Sequence, residues 1–187
     1  MSDKIILGFT GEIAAGKTTA GDYLAEKYQA EGLQFSQVLR KILDELYLPQ
    51  TRQNMQEIST ILRKQFGEDL IAKVMVENIK ATKAEIVTID GIRRHTDIAN
   101  IEQLPNFNLI YVTASPKTRY DRLTARGQNS GDKQKTFEEF KADENRESEQ
   151  QIREVGLIAK HKIDNESSLE DFYKQLEDII TKIKSEK

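Results

Sequence analysis

The sequence contains no cysteine, which excludes disulfides, thiol nucleophiles and zinc–thiolate sites. Its two histidines, His95 and His161, have no metal-spaced partners and read as structural or surface residues. No apolar run approaches the roughly 18 residues of a membrane span. Neither sign of charge dominates: 31 acids face 28 bases, for a net charge of −3. That balance gives no support to a broad nucleic-acid or membrane-binding surface. The chain enters its first apolar strand without the charged and apolar regions of a signal peptide, so a cytoplasmic protein is expected. Three prolines in 187 residues, with 32% charged side chains, suit a well-solvated and mostly helical surface. The length suits one domain, 1–187, with a substantial core. There is no repeat, low-complexity segment or interdomain linker.

What is present is concentrated near the N-terminus. Gly11-Glu12-Ile13-Ala14-Ala15-Gly16-Lys17-Thr18-Thr19 fits G-x-x-x-x-G-K-[ST]. Glycines at those positions let backbone N–H groups close on phosphate oxygens. Lys17 adds a positive charge at the β- and γ-phosphates, and Thr18 offers a hydroxyl to Mg²⁺. A helix beginning near Lys17 points its positive end at the same anion. The motif has its required context. Lys4–Thr10 reads as a short buried strand, and 17–30 as a helix with Ala20, Leu24 and Ala25 inward.

The remaining pattern alternates strands and helices. A weak strand at 32–35 leads to a helix over 37–47 that Ser36 can cap and Pro49 ends. Helices follow over 52–66, with Met55, Ile58, Ile61, Leu62 and Phe66 as apolar positions, and over 69–83. Strands are expected at 85–90, 108–113 and 161–165, and helices at 95–103, 116–126, 136–155 and 168–184. Gly127–Asp132 is the most polar stretch. Such alternation argues for a parallel sheet covered on both faces.

Asp90 ends a buried strand, at the sheet edge where ligands of such folds bind. A carboxylate there can hold the water shell of Mg²⁺; it can also simply open the Asp90-Gly91 turn. Arg119, Arg122 and Arg126 recur at i, i+3 and i+7, on one helical face suited to ATP phosphates or to solvent.

Asp90-Gly91-Ile92-Arg93-Arg94 resembles the D-G-x-x-R segment of nucleoside monophosphate kinases, with Arg94 at the matching arginine. Guanidinium groups grip phosphate bidentately, which lysine cannot do. Ser36–Arg40 is similar to the helix start that carries an acceptor-phosphate arginine in those kinases, with Arg40 matching. Gln56 and Arg63, within Met55–Gly67, resemble phage-type deoxynucleotide kinases. Nearly the whole chain looks like archaeal-type, adenylate-kinase-related small P-loop kinases, through Phe66–Ala72, Asp90–Arg93, Ala114–Arg119, Phe137–Phe140, Asp143–Glu147 and Ile163–Asn165.

The resemblance implies a three-layer α/β P-loop NTPase fold. Its five-stranded parallel sheet would have the order 2-3-1-4-5, with a helical acceptor-binding region at 36–83 and a lid at 127–150. It implies ATP- and Mg²⁺-dependent phosphoryl transfer to a nucleoside or deoxynucleoside monophosphate. The catalytic set would be Lys17, Asp90, Arg94 and Arg126. ATP would lie on Gly11–Thr19, Arg119, Arg122 and Arg126, and the acceptor on Ser36, Arg40, Gln56, Arg63, Arg93 and Arg94. Mg²⁺ would be held by Thr18 and, through water, Asp90. Arg146, the lid arginine, can enter the closed site or pair with acids on its own helix. Dephospho-CoA kinases share the same order of motifs and are the enzyme alternative. A nucleotide-binding switch or slow ATPase is the alternative of another class. Partners would be small-molecule nucleotides, with the chain a monomer or small homo-oligomer.

Overall fold

Apolar residues of the first strand alternate between two faces, and this divides the molecule into layers. β1 (Ile5–Thr10) is buried along its whole length. Ile5, Leu7 and Phe9 meet α1 (Lys17–Tyr28) and α9 (Leu169–Ser185) through Ala20, Leu24, Phe172, Leu176, Ile180 and Ile183. Ile6 points the other way, into a second cluster with Ile71, Met75 and Ile79 of α4 (Leu70–Ala81) and Val155 of α8 (Glu147–Leu157). The period-2 alternation of a strand requires this split. A helix layer therefore lies on each side of one sheet. The computed structural model describes residues 4–127, 132–145 and 147–186, with only the backbone of Glu147 and Ser148.

β2 (Glu31–Gln34), β3 (Ile86–Asp90), β4 (Phe107–Thr113) and β5 (His161–Asp164) complete the sheet. Its order is β2-β3-β1-β4-β5, and every pairing is parallel. This is the three-layer P-loop arrangement that the resemblance implied. Gln34 lies opposite Asp90, so the start of α2 (Phe35–Glu45) stands beside the end of β3. α3 (Arg52–Phe66), a short α5 (His95–Ile98), α6 (Pro116–Arg126) and α7 (Phe137–Asp143) fill the connections.

Several local expectations are corrected. Ala25 is exposed, because α1 buries a narrow stripe through Ala20 and Leu24 only. Ser36 does not cap α2: β2 runs straight into the helix, extended Gln34 is the cap residue, and Ser36 is already helical. The helix expected over 95–103 shrinks to His95–Ile98 and continues as turns. The helix expected over 136–155 is two helices. Thr136 starts α7 through a reciprocal box with Glu139, in which the Thr136 hydroxyl accepts from the Glu139 amide at 3.2 Å. α7 then stops at Asp143, where buried Glu144 is drawn to Arg119. On α3, Ile61 and Phe66 are 60% and 63% exposed, whereas Arg63 is buried. There an ion pair overrides the apolar pattern.

Candidate functional site

Two glycines make the loop at residues 11–16 possible. Gly11 has φ 148°, and a Cβ there would sit 2.1 Å from the Val112 carbonyl oxygen. Gly16 has φ 114°, and its Cβ would meet Asn165 Nδ2 at 2.3 Å. Any other residue would have to push away a strand or a side chain. Asn165 is itself part of the loop's support: Nδ2 donates to the Ala15 carbonyl at 2.8 Å. Arg122 Nη2 in turn donates to the Asn165 carbonyl at 2.9 Å.

Lys17 opens α1, and its side chain folds back over the loop. Nζ donates to the carbonyls of Gly11 at 2.7 Å and Glu12 at 3.0 Å. Burial lowers the Lys17 pKa from its usual 10.5. Asp90, Glu149 and Glu12 oppose that shift, and the positive charge of Arg93 adds to it. Residues from β3, the loop after it, α8 and the P-loop thus converge on one ammonium group. Thr18 is exposed in the first turn of α1, and Asp90 is half-buried at the end of β3. This sparse, hard oxygen set fits Mg²⁺, which keeps several waters and takes few protein ligands beside phosphate. Among the described residues, no group of three or more His, Cys, Asp or Glu forms an all-protein cage.

On the side of α6 and α8, a chain of charges lies beside the loop. Glu12 is 5% exposed; its Oε1 accepts from the Tyr111 hydroxyl at 2.7 Å. Burial, and then the hydrogen bond to Glu12, push the Tyr111 pKa up to about 12. Arg153 on α8 lies between two acids, with Nε 3.7 Å from Glu12 and Nη2 3.6 Å from Glu144. Glu144 also pairs with Arg119. Arg119, 2% exposed, donates to the Ala114 carbonyl at 3.0 Å and stacks over Phe140. The three arginines of α6 therefore do not form one exposed face. Arg119 turns inward, Arg122 is half-buried against Asn165, and Arg126 is exposed. Buried Glu12 Oε2, Arg119 Nη1, Arg122 Nη1 and Glu149 Oε2 have no hydrogen-bond partner among the described residues.

The acceptor-side candidates are spread more widely. Arg93 and Arg94 are exposed on the loop after β3; Arg93 acts on Lys17, and Arg94 Nη1 lies 3.6 Å from Glu68. Arg40 donates to Gln50 at 2.7 Å, Ser36 is half-buried on α2, and Gln56 is exposed on α3. Arg63 is not free for a ligand in this structure: its Nη2 donates to Asp97 at 2.8 Å, and Nη1 to the Glu68 carbonyl. Arg146 and Gln128–Gly131, central to the expected lid, lie outside the described residues. His95 is exposed, and His161 is buried with Nε2 3.2 Å from Asn108 Oδ1.

Sequence reasoning did not single out Asp97, Tyr111, Glu144, Glu149, Arg153 or Asn165 individually as site residues. Asp97 carried a faint signal, an acid three residues after Arg94 at the spacing of a helix start. The others meet the loop only through tertiary folding.

The AAA domain family matches residues 7–151. A UPF0200 protein of Methanoculleus marisnigri is 31% identical, over 95% of this chain and 96% of its own. Among solved structures, TT1252 from Thermus thermophilus aligns with TM-score 0.65 at 18% identity, over 96% of this chain and 97% of its own. Shikimate kinase from Bacteroides thetaiotaomicron aligns with TM-score 0.63 at 13% identity, over 96% and 98%. The two structures share the fold. The family match and the full-length relative place this chain in the AAA domain family and among the UPF0200 proteins.

Proposed function

We propose that this protein transfers the γ-phosphoryl group of ATP to a phosphate-bearing small molecule, a nucleoside or deoxynucleoside monophosphate. One observation carries the reading: Lys17 lies on the P-loop with Asp90 and Arg93 close enough to act on its charge. Phosphoryl transfer needs positioning and charge neutralisation more than covalent chemistry. In this reading Lys17 and the amides of Gly11–Thr19 hold the donor phosphates. Arg93, with Arg94 beside it, receives the acceptor phosphate. Arg40 and Ser36 on α2 extend the acceptor surface, with Gln56 further out. Arg122 and Arg126 approach ATP from α6, and Arg119 supports them from below. Thr18 and Asp90 would hold Mg²⁺, which when bound neutralises charge on the β- and γ-phosphates. Residues 36–83 form the acceptor arm and 127–150 the lid of one cytoplasmic domain, active as a monomer or small homo-oligomer without nucleic acid.

A second reading has a hydroxyl acceptor, as in dephospho-CoA kinases, and one observation favours it. A hydroxyl needs a base, and Glu149 brings a carboxylate toward Lys17, with one buried oxygen unpartnered among the described residues. The test is ATP consumption across a panel of nucleoside monophosphates, deoxynucleotides and dephospho-CoA, with product identification. Phosphorylation of a monophosphate supports the first reading, and phosphorylation of dephospho-CoA the second. Hydrolysis indifferent to every acceptor would make the protein a switch or slow ATPase.

A further inference from the structure

One buried side chain takes both backbone amides of the loop that carries Arg93 and Arg94. Asp97 is 3% exposed. Its Oδ2 accepts from the backbone amides of Arg93 and Arg94, each at 3.0 Å. Its Oδ1 accepts from Arg63 Nη2 at 2.8 Å. Arg63 stands on α3, and its guanidinium also donates to the Glu68 carbonyl in the turn before α4. Two further contacts join the same segments: Arg94 to Glu68 at 3.6 Å, and Asn100 Nδ2 to Asp69 at 3.0 Å. The acceptor arm and the arginine loop are thus tied at several points, and Asp97 is the buried carboxylate among them.

A buried ion pair is a poor device for stability alone. Apolar residues of similar volume commonly serve as well, because both charges must be stripped of water. What apolar residues cannot do is fix the direction of two consecutive backbone amides. The amides of Arg93 and Arg94 set where those side chains leave the chain, and Arg63 ties that geometry to α3.

We propose that Asp97 and Arg63 are positioning residues that aim Arg93 at the P-loop and make its aim depend on the position of α3. This rests on the phosphotransfer reading above. It assigns Arg63 a task other than touching the acceptor. An acceptor that seats α3 correctly would align Arg93; one that displaces α3 would misalign it. The pair therefore favours the correct acceptor at the chemical step rather than in ATP binding.

The test uses the full chain and has two arms. In the first, amide exchange at Arg93 and Arg94 is followed without ligand in Asp97→Asn and in the milder Arg63→Lys, which keeps the charge and loses the planar fork. Exchange about tenfold faster at both amides is expected for Asp97→Asn, and a smaller rise for Arg63→Lys, since each loosens the hold on the loop. Unchanged exchange in both variants overturns the proposal. In the second arm, transfer from ATP is measured with a mixture of AMP, CMP, UMP, GMP and dTMP. Asp97→Asn should lower kcat by about ten- to a hundredfold, as misplacement of a reacting group does, with the KM for ATP nearly unchanged. In an Arg93→Ala background, the same change should lower kcat no further. An additive loss, or a parallel rise in the KM for ATP, means that Asp97 acts through general stability, and overturns the proposal. If the unaltered protein phosphorylates no acceptor, the phosphotransfer reading has failed by itself. The exchange arm, and the same Arg93–Asp97 cycle read on ATP hydrolysis, then still decide the positioning role.

Discussion

Two buried ion pairs flank the P-loop, and they are finished to different degrees. Beside α3, Asp97 has a donor on each oxygen: Arg63 on one, the Arg93 and Arg94 amides on the other. Beside α6, Arg119 holds Glu144, while Arg153 stands 3.6 Å from Glu144 and 3.7 Å from Glu12, beyond hydrogen-bond length from both. Glu12 Oε2 and Arg119 Nη1 are buried with no partner among the described residues. A network satisfied at every atom fixes one geometry; one less fully paired among the described residues is less tightly specified. The Asp97 pair is therefore expected to behave as a brace, and the charges around Glu12 as the part that adjusts when a ligand arrives.

The largest expected effect tests the brace. Asp97→Ala leaves Arg63 buried without its counter-charge and two amides without an acceptor. A loss of about 3–5 kcal/mol in unfolding free energy is expected, read from urea denaturation. The double variant Arg63→Met, Asp97→Ala should lose less than Asp97→Ala alone, because no orphan charge remains. A loss below about 1 kcal/mol for the single variant would mean that the two sides do not differ.

Lys17 stands between the two pairs, and its variant should separate chemistry from stability. Lys17→Ala removes a charge aimed at developing negative charge on phosphate. Turnover is expected to fall by at least about 10²–10³-fold, while the urea midpoint shifts far less than in Asp97→Ala. Near-normal turnover would remove the P-loop from the mechanism.

Glu12→Gln probes the unfinished side. The amide keeps the shape and the Tyr111 contact, and removes a negative charge from beneath the phosphates. Stability should change by less than about 1 kcal/mol, because no fully formed ion pair is broken. The affinity for a non-hydrolysable ATP analogue should rise severalfold, measured by calorimetry at low salt. A stability loss as large as that of Asp97→Ala would show that Glu12 is as firmly braced as Asp97.

The smallest effect lies outside both pairs and serves as their control. Burial lowers the His161 pKa below its usual 6.5. Its folded form resists protonation, so the unfolded chain takes up the proton first as pH falls. The stability that His161 contributes is whole above pH 6.5 and drains away as pH drops from there toward the folded pKa. Urea midpoints from pH 7.5 to 5.5 should fall more in the unaltered protein than in His161→Gln. Equal slopes would mean that His161 carries no proton linkage.

Much of the frame was legible because it depends on local pattern. The buried run Ile5–Phe9 and the glycine spacing each repeat a rule that acts within a few residues. α3 and α6 fall at their expected limits, Arg52–Phe66 and Pro116–Arg126. The break between α7 and α8 was not legible, since the segment 136–155 reads as helical throughout. It is set by Glu144 reaching Arg119, 25 residues away in sequence. The burial of Arg63 against Asp97 was not legible for a similar reason. A lone arginine among apolar helix positions looks like a surface or ligand-facing charge until Asp97 folds against it.

The sequence by itself determined the P-loop, the parallel α/β order and the strand end that presents Asp90. Glycine conformations, strand alternation and helix periodicity act over short distances and leave few alternatives. Only the tertiary structure decided which charges face ligand and which face each other. Arg119 and Arg63 turned inward, Arg93 and Glu149 came within electrostatic reach of Lys17, and Arg153 came to stand beside Glu12. Identical side chains at similar spacings can hold a phosphate or a carboxylate. Which one they hold depends on the acids that distant segments bring within a few ångströms, where burial strengthens the attraction and makes an unpaired charge costly.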